Sequence, residues 1–200
     1  MNRRTNVLPA VLAGLALVAL SAAAGAATYE IDKAHSSVSF KVRHLGVSNT
    51  KGNFEEFQGS FAFDPADPKS WSATATIQVA SVNTDDAKRD EHLRSSDFFD
   101  VANHPTMTFQ STGVTKNADG TYQLQGDLTL RGVTKPVTLA LEALGTVTDP
   151  WGNARAGFAA TGKINRKDFG VSWNKALDSG GLLVGDEVTI LLEIEGILKK

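Results

Sequence analysis

The chain has no cysteine, which removes thiol nucleophiles and disulfides together; a domain of this size is held by its core without the latter. Histidine is scarce. His35, His44, His92 and His104 are separated by 9, 48 and 12 positions, so none forms the close pair that commonly seeds a zinc site. A metal would need them to converge in the fold. Neither a G-x-S-x-G elbow nor an H-E-x-x-H motif occurs, so neither hydrolase design applies. Excess positive charge is missing too: 20 Lys and Arg stand against 22 Asp and Glu, no footprint for nucleic acid. Repeats, low-complexity tracts and interdomain linkers are absent, which points to one domain.

The N-terminus carries an address. Asn2-Arg3-Arg4 is followed by an apolar run from Val7 to Leu20, interrupted by Pro9 and Gly14, and then by small residues including Ala24-Gly25-Ala26. That order is a secretory signal peptide with an A-x-A cleavage site. The rival is an uncleaved anchor, since Val7 to Ala27 is nearly long enough to span a bilayer. Residues 1–26 are therefore expected to be removed, leaving 27–200 as a single exported, periplasmic domain with 18 basic and 22 acidic residues.

Beyond it, period-two alternation dominates. Val38, Phe40, Val42 and His44 alternate with polar residues, as do Ala73, Ala75, Ile77 and Val79. The same holds for Tyr122 to Leu130, Val137 to Ala143 and Val188 to Ile194. Each reads as a strand with one dry face. Weaker strands fit at Gln58 to Phe63, Thr106 to Thr115 and Arg155 to Asn165, with turn residues at Asp64-Pro65, Asn117 to Gly120, Arg131-Gly132 and Asp149 to Asn153. About eight strands with short connections predict an all-β antiparallel barrel or sandwich. One helix interrupts them. Thr84 is its expected N-cap, Asp85–Arg89 and Asp90–Arg94 its supporting pairs, and Ser95 its end.

The dry faces are rich in small residues: Ala73, Ala75, Gly126, Ala143, Ala156, Ala160 and Gly162. A barrel of about eight strands is just wide enough to be filled by large side chains, or to hold one small ligand instead. Small residues vacate volume, and Phe40, Phe61, Phe63, Ile77, Phe109, Leu124, Leu128 and Phe158 would line what remains. A tapering, fully packed core uses small residues as well. Composition leaves both open.

Several blocks resemble the YceI-like family of polyisoprenoid-binding proteins. They include Tyr29-Glu30-Ile31-Asp32-Lys33-Ala34-His35-Ser36, Val42-Arg43-His44-Leu45-Gly46, Arg89-Asp90-Glu91-His92-Leu93 and Asp97-Phe98-Phe99-Asp100. Gly126 to Val137, Arg166-Lys167-Asp168-Phe169-Gly170 and Val184-Gly185-Asp186-Glu187-Val188 continue the match in order along the whole mature chain. The resemblance implies a lipocalin-like barrel whose interior takes an isoprenoid tail. It also implies export, frequent dimerisation, and association with isoprenoid quinones or stress. Other lipids, such as fatty amides, are compatible with it, as is transient contact with a membrane.

Candidate ligand contacts are accordingly Val42 and His44 on the first dry face, and Ala75 and Ala160 together with the large residues named above. Arg89, His92 and Leu93 of the helix, Phe99 after it and Trp173 near the entrance complete the set. His44 is either a polar handle for a head group or a core histidine satisfied by backbone; His35 orders a turn. No catalytic residue, metal ligand or cofactor is assigned. The alternatives are a metal-assisted enzyme acting on such a lipid, and a non-binding structural or stress barrel. Intact-mass analysis of the exported protein is expected to show Ala27 as the first residue; a full-length chain in the membrane fraction would instead identify the anchor.

Overall fold

The computed structural model describes residues 25–178 and 180–200; the segment expected to be cleaved lies outside them except for its last two residues. Eleven strands run in chain order. The first six are β1 (Ala27–Ile31), β2 (Ser37–His44), β3 (Ser48–Phe54), β4 (Phe57–Phe63), β5 (Ser72–Gln78) and β6 (Val82–Asn83). Helix α1 (Ala87–Arg94) precedes β7 (Thr106–Lys116), β8 (Tyr122–Leu130), β9 (Val133–Thr148), β10 (Ala154–Asn165) and β11 (Val184–Leu198).

Strand β1 pairs with both β4 and the end of β11, which closes β1, β4, β5, β7, β8, β9, β10 and β11 into an antiparallel ring of eight. Every strand that alternates in sequence is present, with its apolar parity turned inward: Leu124, Leu128 and Leu130 of β8 and Ala156, Phe158 and Ala160 of β10 are buried. The Arg131-Gly132 pair forms the β8–β9 turn, with φ of 51° and 72°. Two successive positive φ values match the right-handed twist of the flanking strands.

Three strands were not legible. β3 reads Ser-Asn-Thr-Lys-Gly-Asn-Phe, too polar to signal a dry face, and takes its form by pairing along β2 from His44↔Ser48 to Val38↔Phe54. The two-residue β6 exists by pairing with β3. β1 is short, and it shares β11 with β2. Tyr29 to Ile31 pair with Leu198 to Gly196, and Ser37 to Val42 pair with Glu193 to Val188.

The handover between β1 and β2 is pinned. Asp32 accepts from the Ala34 amide and caps a short 3-10 turn over Lys33–His35, with the His35 ring 2.9 Å from its carboxylate. Ser36 Oγ donates to the Glu195 carbonyl and accepts from the Glu195 amide. From β10, Arg155 reaches Asp32 at 2.8 Å, Asp149 at 2.7 Å and also Glu195. One guanidinium thus ties the bend, the β9–β10 turn and β11 together through charge-assisted bonds.

The helix is present but begins later than Thr84. Its N-cap is Asp86, which accepts from the Lys88 and Arg89 amides. Asp85 lies outside, in a left-handed conformation at φ 62°. Neither expected acid–base pair forms. Asp90 is buried and accepts from the Thr84 amide and hydroxyl, while Arg89 Nε donates to Thr84 Oγ1 at 2.7 Å and Arg94 donates to the Ala80 and Val82 carbonyls. Buried backbone and hydroxyl groups require partners, and meeting that need outweighs a few tenths of a kcal/mol per exposed pair.

Hydrogen bonds from Arg155 and His35 hold the Asp32 carboxyl below its ordinary pKa of 3.8. Burial pushes Asp149 upward, but hydrogen bonds from Arg155 and Asn153 outweigh it and leave that carboxyl well below the usual range. A carboxylate with a depressed folded pKa adds stability that is present above its unfolded value and lost as pH falls through the folded one. Arg155→Met leaves the Asp32, Asp149 and Glu195 carboxylates without the guanidinium they share. Urea titrations should find it less stable than wild type at neutral pH, with the gap narrowing at about pH 3 as the acids are neutralised. A gap independent of pH would deny Arg155 this role.

Candidate ligand-binding cavity

The ring encloses a cavity of about 610 Å³ lined chiefly by apolar side chains, within the range of about 300–1,000 Å³ usual for small-molecule sites. Phe40, Val42 and His44 reach it from β2, Phe61 from β4, and Ala75 and Ile77 from β5. Phe109, Leu124, Leu128, Phe158 and Ala160 face it from β7, β8 and β10. Arg89, His92 and Leu93 of α1, with Phe99 and Trp173, line the opposite part. All of these were singled out by the alternation, the helix or the resemblance.

Phe63 is the exception. Rather than lining the cavity, it lies at the floor, with ring centroids 4.7 Å from Trp71 and 5.0 Å from Phe158. Trp71 also lies 4.6 Å from Tyr122, the rings tilted by 45°, and donates its indole N–H to the Asp64 carbonyl. This buried aromatic layer seals one end of the barrel. Trp71 had no signal of its own, because it precedes a strand and so carries no parity.

How the lumen stays open differs from the expectation. Among the small inward residues, Ala73, Ala75 and Ala160 border the cavity, whereas Ala156 and Ala143 pack into the core around the floor. The glycines are already covered. A Cβ at Gly126 would sit 2.3 Å from Phe109 Cζ, one at Gly52 2.5 Å from Phe40 Cζ, and one at Gly196 2.5 Å from Phe61 Cε1. At Gly162 it would meet Leu139 Cδ2 at 2.4 Å. Bare backbone therefore lets three large rings and a leucine lie against the wall instead of projecting across the barrel. The glycines clear the lumen indirectly.

The other end is polar and aromatic. The His92 ring sits edge-on to Phe98 and Trp173, 5.0 and 4.8 Å between centroids, with Nε2 2.8 Å from the Asp97 carboxylate. Behind Trp173, Arg166 is only 4% exposed; it donates to the Gly185, Val171 and Trp173 carbonyls and pairs with Asp186. Burial pulls its pKa downward and Asp186 opposes the shift. The sequence marked Arg166 only as part of a matching block; its role in holding this rim follows from burial. Half-buried His44 lies at the same end, opposite Val184. Among the described residues its ring has no protein hydrogen-bond partner, so it is not a core histidine satisfied by backbone.

All charged lining residues belong to this mouth: Arg43, Asp86, Lys88, Arg89 and Arg166, with His44 and His92. Away from it, among the described residues, Asp32, His35 and Glu195 bring three potential metal ligands together. Arg155 already engages both carboxylates.

A closed antiparallel barrel with a sealed floor, an apolar lumen and a polar mouth defines the class: a lipocalin-like enclosing barrel. Residues 29–196 match the family model described as the YceI-like domain, and the chain belongs to that family. A UPF0312 protein of Ectopseudomonas mendocina is 44% identical over 96% of this chain and 97% of its own length. The crystal structure of Burkholderia cenocepacia BcnA superposes with a TM-score of 0.72 at 28% identity, over 82% of this chain and 98% of that one. A polyisoprenoid binding domain from Saccharophagus degradans shares the fold at a TM-score of 0.62 and 15% identity, over 87% of this chain and 99% of that one.

The glycine–ring packing predicts a specific lesion. Gly126→Val should drive the Phe109 ring into the lumen and press on the Gln110 carbonyl, 2.7 Å from a Cβ there, lowering stability by about 1–3 kcal/mol and reducing uptake of an apolar fluorescent probe. Adding Phe109→Ala to that variant should restore uptake. Unchanged probe binding in the single variant would show that Phe109 has another place to go.

Proposed function

We propose that this protein is an exported, periplasmic carrier or store that sequesters a long-chain isoprenoid, or a similar amphiphilic lipid, and catalyses no reaction. The observation that carries this reading is the apolar lumen, closed by the Trp71 layer and, among the described residues, charged only at its mouth. Each buried methylene of a guest contributes roughly 0.8 kcal/mol, so a dozen would give about 10 kcal/mol before the costs of association. The mouth would then orient the guest, with His44, Arg89 and His92 meeting its polar head and Leu93 its tail.

Family membership supports a binding barrel, and the polyisoprenoid binding domain of Saccharophagus degradans supports an isoprenoid as the guest. The leader-like N-terminal sequence supports export. Roles in isoprenoid-quinone handling or stress, and assembly as a homodimer, are parts of the proposal that the family resemblance suggests.

Organic extraction of the purified protein followed by mass spectrometry should release a long-chain lipid; repeatedly empty extracts would overturn the carrier reading. Ala75→Phe and Ala160→Phe each add a ring to a wall that faces the lumen. Both should cut lipid content severalfold while circular dichroism stays barrel-like, and full occupancy in both would remove the lumen as the binding place.

A further inference from the structure

Two loops at the mouth expose apolar side chains with no partner among the described residues. Val47, in the β2–β3 turn, is 82% exposed, with Leu45 of the same turn at 40%. Leu182, in the segment leading to β11, is 44% exposed. The loops are one structure. The Leu45 amide donates to the Leu183 carbonyl at 2.9 Å, and Leu183 in turn donates to Lys175. Asn174 clamps Val184 from both its amide and its carbonyl. Their inner residues His44, Leu183 and Val184 line the cavity, so the exposed tips are the outer rim of its opening.

We infer that this rim is a docking surface for a lipid bilayer, through which the cavity takes up or releases its guest without exposing the tail to water. The inference rests on the carrier reading above. Apolar tips on turns beside a lipid-sized lumen suit shallow insertion at the level of the headgroups. Among the exposed charged residues lining the mouth, Arg43, Lys88 and Arg89 stand against Asp86, and the neighbouring Asp97 is engaged by His92. Asp86 is turned to the helix N-terminus and Asp186 is held by Arg166 and Lys167, while Asp178 is the acid on the rim segment itself. That balance favours lipid phosphates and anionic headgroups. A second copy is a poorer fit, because three side chains fall well short of the ~800 Å² per partner of a stable interface.

Flotation of the purified, mature protein with phosphatidylglycerol-containing vesicles, against pure phosphatidylcholine, tests this. Wild type should float with the anionic vesicles. Val47→Asp and Leu182→Asp should each weaken flotation by about tenfold and slow transfer of a fluorescent prenyl lipid from vesicles, with extractable lipid per protein unchanged. Val47→Ser should act in the same direction more weakly. Val147→Asp, at the exposed β9–β10 hairpin at the far end of β10, should have no effect. The inference is overturned if wild type does not float, if neither rim variant alters flotation, or if Val147→Asp is equally damaging. It is also overturned if sedimentation shows a dimer that Val47→Asp dissolves. A protein that floats through its rim but yields empty extracts would sink the carrier reading and leave the docking surface standing.

Discussion

The structure depends on how large side chains are stowed in a ring of eight strands. Such a ring has just enough room for its own side chains, so a lumen exists only if the aromatic ones are kept out of the centre. Here that is done by glycine. Phe40, Phe61 and Phe109 lie over Gly52, Gly196 and Gly126 at distances that no Cβ would tolerate. Bare backbone becomes a shelf, and ring area that would have crossed the barrel instead forms its wall.

That wall is asymmetric, and the asymmetry supplies direction. At one end Phe63, Trp71 and Phe158 form a buried layer with half-buried Tyr122 against it, and the Trp71 indole nitrogen donates to the Asp64 carbonyl. At the other end the ring is finished by α1, the Trp173 segment and the β2–β3 turn, where every charged lining residue lies. An amphiphile entering such a space has one low-energy orientation: tail to the floor, head to the mouth.

Two arginines hold these ends. Arg155 gathers Asp32, Asp149 and Glu195 where β1 gives way to β2, and so supports the seam through which the ring closes. Arg166 distributes its donors over Gly185, Val171 and Trp173 and fixes the loop bearing the mouth's tryptophan. Neither is explained by charge count. Each acts as a planar multidentate donor, which a lysine would not replace.

Alternation alone determined the strands β2, β5, β8 and much of β9 and β11, together with which side of each is dry, because a two-residue period admits only two faces and burial chooses the apolar one. It also turned the strand-borne candidates toward the interior, whereas Arg89, His92, Leu93, Phe99 and Trp173 lie outside the alternating strands. What it could not determine were features that need a neighbour. The polar strand β3 exists only because β2 lies beside it. Phe63 and Phe61 share a parity, yet one seals the floor and the other borders the lumen, since height along the barrel is set by the stagger of pairing strands. Asp86 rather than Thr84 caps the helix because Thr84 is drawn into a buried network with Asp90 and Arg89. The sequence by itself decided that this chain makes a barrel with a small-residue interior. Only the tertiary structure decided that the interior is hollow, because the emptiness arises from rings on one strand resting on glycines of another.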